Sequence, residues 1–399
     1  MGRFGAGFAA DADLLLAAEM AADAALSSLA GRRPDMTCVF VSGADPEEIA
    51  TAGSRVIDKC GAPVSIGCNA TGVLATAGVA EAANAVSVWC AVLPDVRLRA
   101  FHLEVMPADG GMAVVGLPER TPDDAVAIVL ADPWSFPVDG FVARSNEALV
   151  GLPIVGGCAS GLRGRGSTRL FLDGDVVDRG AVGVLLTGPV GARAFVSQGC
   201  RPVGPVMTVT AADGNVILEL AGVAAVDKLT EILSVLPPAE QALATTGLQL
   251  GIAMDEYADE HGAGDFLIRG IGGIDETRGG LVVGDLVSVG RTVQLQLRDA
   301  TAADDDLKDT LRRFRQNTSL DTVESVLLFT CNGRGGQMFT RADHDVALVG
   351  EELSVDAVAG FFAAGEIGPV AGRNHIHGFT ASMLALGSGA AAQRGTSTA

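Results

Sequence analysis

The residues of this chain able to do chemistry sit in glycine-rich loops. Cys68 and Asn69 lie in Gly67-Cys-Asn-Ala-Thr-Gly72, and Cys158 and Ser160 in Gly156-Gly-Cys-Ala-Ser-Gly161, with Arg163 and Arg165 just beyond. Cys331, Asn332 and Arg334 fall in Cys331-Asn-Gly-Arg-Gly335, and Glu366 in Gly365-Glu-Ile-Gly368, followed by Arg373, Asn374 and His377. Asp132 closes an apolar run, with Trp134 two residues on. Arginine matches a carboxylate and an acid matches an ammonium, so this mixture suits a zwitterion such as an amino acid. The cysteines also fit a simpler role as small buried residues beside a close backbone. A charge in a tight loop is either solvated or paired, so Arg334 and Glu366 either pair with each other or face a ligand.

Other chemistries find less support. A catalytic thiolate wants a neighbouring base or cation. The five histidines (102, 261, 344, 375 and 377) give Cys68 and Cys158 no evident partner. A hydrolase or lyase using Cys158 or Cys331 stays as an alternative, as does a protein-binding adaptor. His375, His377 and Glu366 could mimic a two-histidine, one-carboxylate metal site, but spacing of that kind is common. Gly270-Ile-Gly-Gly273 lacks the remainder of a dinucleotide fingerprint, Ser160 does not match a nucleophile elbow, and a Walker A motif is absent. No metal and no cofactor are expected.

Composition sets the frame for these loops. The chain has 399 residues, 52 of them glycine without a Gly-X-Y period, and 48 % hydrophobic residues, which excludes a disordered or collagen-like protein. The 28 Lys and Arg against 48 Asp and Glu give a net charge of −20, which opposes nucleic acid and anionic membranes as partners. Seven dispersed cysteines without a Cys-x-x-Cys pair point to a reducing, cytoplasmic setting. No run of 18 apolar residues suggests a membrane span, and no signal peptide is apparent.

The elements that must position the loops are short strands and helices of an α/β fold with mixed sheets, helices outside. Residues 11–30 read as a helix with Leu14, Leu15, Ala18, Ala22, Ala25, Leu26 and Leu29 on one stripe. Thr37 to Ser42 reads as a buried strand, and Asp45-Pro46-Glu47-Glu48 opens a helix leading to a strand at Val64–Ile66. The pattern returns at Ala125 to Val155, and Cys68 and Cys158, 90 positions apart, set the offset. Less cleanly it returns at Leu248 to Leu297, and again from Ser325 with a helix near Ser354 to Ala359, giving four units paired into two related halves. A hairpin at Asp173-Gly174 explains the longer second unit. A helix from Val223 to Leu233 ends at Pro237-Pro238, and another is capped at Thr301 with Leu307, Leu311 and Phe314 inward. The expected boundaries are 1–35 for an N-terminal helix, 36–210 and 211–388 for the halves, and 389–399 for a disordered tail. Parallel strands within a unit would bring its loops to one carboxyl edge, the usual place for a ligand in α/β proteins.

With the loops aligned, the chain resembles the FIST family over residues 37–388. The resemblance rests on the two Gly-Cys loops and, more specifically, on Leu328-Phe-Thr-Cys-Asn-Gly-Arg-Gly335, Gly360-Phe-Phe-Ala-Ala-Gly-Glu-Ile-Gly-Pro369 and His377-Gly-Phe-Thr-Ala-Ser382. It implies an N-type half, a C-type half and a sensory role in signal transduction, with an amino acid or related metabolite as the ligand. Many relatives carry an output module. Here the signal is expected to leave through a separate protein partner or through a homo-oligomer.

Overall fold

A computed structural model describes residues 2–108, 111–258, 261–262 and 264–388; the expected tail at 389–399 lies outside them. In chain order the first elements are β1 (Arg3–Ala10), α1 (Leu14–Ser27), β2 (Met36–Ser42), α2 (Pro46–Cys60), β3 (Val64–Ala70), β4 (Gly72–Ala75), β5 (Gly78–Glu81) and β6 (Ala85–Val92). There follow β7 (Arg97–Ala108), β8 (Gly111–Val115), β9 (Asp124–Ala131), α3 (Val138–Ala148), β10 (Ile154–Cys158), β11 (Leu170–Leu172), β12 (Asp175–Val177), β13 (Ala181–Thr187) and β14 (Gly191–Ser197).

The chain then forms β15 (Cys200–Asp213), β16 (Val216–Leu220), β17 (Val223–Ala224), α4 (Ala225–Ser234), α5 (Pro238–Gly247), β18 (Leu248–Ala253), β19 (Phe266–Asp275), β20 (Gly280–Val283) and β21 (Thr292–Arg298). It ends with α6 (Ala300–Asn317), β22 (Thr322–Cys331), α7 (His344–Leu353), β23 (Ala357–Ala363), β24 (Glu366–Val370), β25 (Arg373–His377) and β26 (Ala381–Ser388). Two compact units result. One joins the chain up to Ser197 with Leu307–Ile376 and Thr380 onward, and the other is Gln198–Asp306 with His377–Phe379.

The first unit holds three sheets, in the orders β1-β6-β2-β3-β11-β12, β8-β7-β13-β9-β10-β24-β25 and β14-β26-β22-β23-β4-β5. Each is built on one parallel pair: β2 with β3, β9 with β10, and β22 with β23. A strand-to-strand crossover is what parallel pairing requires, and α2, α3 and α7 supply it. The hairpin that follows each pair leaves its own sheet. β4–β5 adds to β23, β11–β12 adds to β3, and β24–β25 adds to β10. The three sheets face one shared core, to which Phe40, Cys68, Ile128, Val155, Phe329 and Phe361 all contribute. The opposite face of each sheet packs on helices: α1 and α2 over the first, α3 over the second, α6 and α7 over the third.

Local sequence explains much of this. Asp45 accepts hydrogen bonds from the amides of Glu47 and Glu48, Pro46 starts α2, and Gly61 closes it in the left-handed conformation. Asp173 and Gly174, both at positive φ, make the β11–β12 turn as expected. At Gly5 and Gly7 a Cβ would stand 2.0 Å from the carbonyl oxygens of Ala25 and Ala21, so only glycine lets the alanine face of α1 settle on β1. The expected N-terminal stripe is shifted slightly, since Leu15 is 41 % exposed while Ala17 and Ala21 are buried.

Five expectations are corrected. The cysteine anchor is one residue out: Cys68 faces the shared core, whereas Cys158 points outward beneath α3. The positions that match are Gly67, Gly156 and Gly360. A Cβ there would come 2.1, 1.9 and 1.7 Å from the carbonyl oxygens of Val39, Val129 and Leu328, the residues opposite them in register. Second, the stretch 248–297 contains antiparallel pairings only. With β15 and β16 it forms a sheet whose two ends meet, a closed antiparallel barrel. Third, Ser354 to Ala359 is not helical. The helix is α7, ten residues earlier, and Ala357 onward is a fully buried strand. Pro238 starts α5 rather than merely ending α4, and Asp299, not Thr301, caps α6 by accepting from the amides of Thr301 and Ala302.

Candidate functional site

The carboxyl edge of the β22–β23 pair carries the densest group of buried polar side chains. β22 ends at Cys331, and the chain turns at once: the Arg334 amide donates to the Cys331 carbonyl at 2.8 Å, and the Asn332 amide to the Ala363 carbonyl at 2.9 Å. That turn drives the Arg334 side chain inward, where it is 1 % exposed. Its Nε and a terminal nitrogen grip both oxygens of Asp345 at 2.8 and 2.9 Å, in the two-point geometry that favours arginine with carboxylate. Asp345 comes from the first turn of α7. It also accepts from Thr330 Oγ1 at 2.5 Å and bonds His344 Nδ1 at 2.9 Å. The His344 ring stacks on Phe339 at 3.6 Å, and the Arg334 guanidinium carbon lies 5.4 Å from the same ring. Burial pushes the Asp345 carboxyl up, yet Arg334, His344 and Thr330 outweigh it and hold the group far below the usual carboxylate range.

Glu366 lies beside this pair but does not join it. As the first residue of β24 it stands opposite Gly157 of β10, and its side chain is fully buried. Oε2 accepts from the amide and hydroxyl of Thr380 at 3.2 and 2.9 Å. Among the described residues Oε1 has no hydrogen-bond partner. Burial pushes the acid up to about 8, against the opposing pull of Thr380, Arg334 and Cys331. Cys158 is next along, its amide bonded to the Gly365 carbonyl at 2.8 Å; burial and the Glu366 charge push its thiol above the ordinary range, which makes it a poor nucleophile.

The other expected site residues serve as struts or lie in solvent. Cys68 is sealed in the shared core. The Asn69 amide bridges two loops, donating to the Ser160 carbonyl at 2.7 Å and accepting from the Arg169 amide at 2.7 Å. Ser160 bonds the Phe362 carbonyl at 2.5 Å and receives the Thr71 amide at 2.8 Å, so it ties the ends of all three parallel pairs together. Asp132 is fully buried and gathers Thr168, Ser135 and the Trp134 amide. Asn374 clamps β25 to the segment after α3 through the Ile154 amide and the Leu152 carbonyl, at 2.8 and 2.9 Å. Arg163, Asn332 and Arg373 are exposed, and His377 is buried in the other unit.

The cluster therefore joins Cys158, Cys331, Arg334 and Glu366, and leaves Cys68, Asn69, Asp132, Ser160, Arg163, Asn332, Arg373, Asn374 and His377 outside it. Sequence reasoning missed Asp345, His344 and Thr330. The signal was present in Val346, Val349 and Leu353, which mark α7 by their spacing and put Asp345 in its first turn. A separate cleft of about 350 Å³ opens at the carboxyl edge of β2 and β3, lined by Ser42, Thr71, Asn84 and Leu162 among others. Among the described residues no group of three or more His, Cys, Asp or Glu is placed to hold a metal, and no helix is long and apolar enough to cross a membrane.

Comparison with known proteins agrees with the sequence motifs. Residues 35–223 match the FIST N domain and residues 225–369 the FIST C domain. An uncharacterized protein of Mycobacterium bovis, Mb0898c, is 42 % identical over 382 residues, covering 96 % of this chain and 98 % of the relative. The uncharacterized protein Rv0628c of Mycobacterium tuberculosis is 43 % identical over the same shares of both chains. With both domain types matched in order along nearly its whole length, the chain belongs to the FIST family, whose domains are sensory domains of signal transduction.

Proposed function

We propose that this protein is a cytoplasmic small-molecule sensor whose ligand, an amino acid or related metabolite, is bound at the Glu366 cluster, and that it passes the signal to a separate protein partner. Residues 36–210 and 211–388 are its two family halves. The observation that carries this reading is the Oε1 atom of Glu366, a buried carboxyl oxygen with no hydrogen-bond partner among the described residues. Leaving such a group unmet costs about 1–3 kcal/mol, a cost that a ligand amine would remove. Arg334 is already engaged by Asp345, so the cluster offers a carboxyl group to an amine and suits a ligand carboxylate less well. A binder needs no activated nucleophile, and the raised Cys158 thiol fits that.

A thermal-shift screen of amino acids, amines and small carboxylates tests the reading. Saturating ligand at 100 times its Kd adds about 2.7 kcal/mol of stability. Hits that carry an amine and vanish when it is removed support the proposal; hits among simple carboxylates alone, or hits unaffected by Glu366→Ala, contradict it.

A further inference from the structure

The first sheet holds a second pair of reactive groups that the sensory reading does not use. Cys60 is the last residue of α2, and Cys90 lies in the middle of β6 directly beneath it. Their sulfurs are 3.7 Å apart, with the Cys90 thiol donating to Cys60 Sγ. Thr37 Oγ1 lies 3.6 Å from Cys90 Sγ, on the strand paired with β6. Cys38, the next residue along, points to the opposite face of the sheet and cannot compete. We propose that Cys60 and Cys90 form a reversible intramolecular disulfide on exposure to a peroxide, making the end of α2 a redox-modified site.

Three observations support the chemistry. Cys60 is the less buried of the two, 5 % exposed at a helix terminus, while Cys90 is fully buried. The hydrogen bond from Cys90, aided by Thr37 and Lys59, lowers the Cys60 thiol against burial and Asp23, so Cys60 is the more acidic thiol of the pair. The two sulfurs need close only from 3.7 Å to the bonding distance of about 2.05 Å, at the last residue of α2. The step balances as follows. The Cys60 thiolate attacks one peroxide oxygen, the O–O bond breaks, and the leaving oxygen takes a proton, giving a sulfenic acid. Cys90 Sγ then attacks the Cys60 sulfur, the S–O bond breaks, and hydroxide leaves with the Cys90 proton as water. Two thiols are oxidised and one peroxide is reduced.

The test uses the full chain. After treatment with hydrogen peroxide, the protein is alkylated under denaturing conditions and digested with trypsin, which yields one peptide spanning residues 60–97 with Cys60, Cys68 and Cys90. The expected result is a peptide carrying one alkyl group, on Cys68, instead of three, restored to three by a dithiol reductant. Cys60→Ser should keep labels on both Cys68 and Cys90, and Cys158→Ser should behave as wild type. Three labels on that peptide at peroxide doses that oxidise other cysteines would overturn the proposal, as would a crosslink that includes Cys68. Because the main readout is taken on the wild-type chain, it stands even if a variant folds poorly.

Discussion

The loop after β3 and the loop after β22 look alike in sequence: each puts a cysteine and an asparagine among glycines at the end of a buried parallel strand. In structure they differ in one respect. At the first, every polar atom of the bridging groups has a partner: Asn69 spans Ser160 and Arg169, and Ser160 spans Phe362 and Thr71. At the second, Asp345 is oversupplied with donors while the Glu366 carboxyl beside it has an oxygen with none. A satisfied junction holds sheets together, and an unsatisfied one is poised for something else. That contrast, rather than any motif, separates scaffold from site.

The largest effect expected from breaking the comparison is at Arg334. Arg334→Ala leaves the Asp345 carboxylate buried with only His344 and Thr330, and should cost about 3–5 kcal/mol in urea unfolding. Loss below about 1 kcal/mol would mean that the pair is not the anchor of the loop.

Next is Glu366, through pH. Its acid is raised from an ordinary 4.5 to about 8 in the folded chain, so between those values the folded state holds a proton that the unfolded state has released. Stability conferred by that proton is complete below the unfolded value and is lost as pH rises through about 8. Glu366→Gln, which stays neutral, should therefore gain on the wild type by up to about 1.4 kcal/mol per pH unit between pH 5 and 8, measured as the difference between two unfolding curves. Parallel curves would show that Glu366 is not buried as described.

Asn69→Ala is smaller. It strands the Ser160 carbonyl and the Arg169 amide, costing about 2 kcal/mol, without changing the pH profile or ligand response. A ligand effect there would move the site to the first loop.

Much of the framework was legible because its signals are local. The Asp45-Pro46 cap, the Asp173-Gly174 turn and the apolar strands at 37–42 and 125–131 each announce themselves within a few residues. β1 was not seen, since Phe4 and Phe8 alternate with glycine and alanine and leave little side chain to read. The crossing of hairpins between sheets has no local signal at all: β4 pairs with β23 about 285 residues away, for reasons that reside in the shared core. α7 was displaced because Val355 and Val358 stand at a helical spacing, although Val358 lies in a buried strand. That error hid Asp345, and with it the fact that Arg334 has a partner other than Glu366. Arg334 and Glu366 themselves were legible as charges in tight loops, but which partner each would find was a matter of geometry.

Isothermal titration of the best amine-bearing hit into wild type and Glu366→Gln tests the central claim most directly. The account predicts at least about a tenfold loss of affinity in the variant, since Glu366 passes its proton to the ligand amine and the charge-assisted hydrogen bond that results is worth about 1.5–3 kcal/mol. Equal affinity in the two proteins would contradict it.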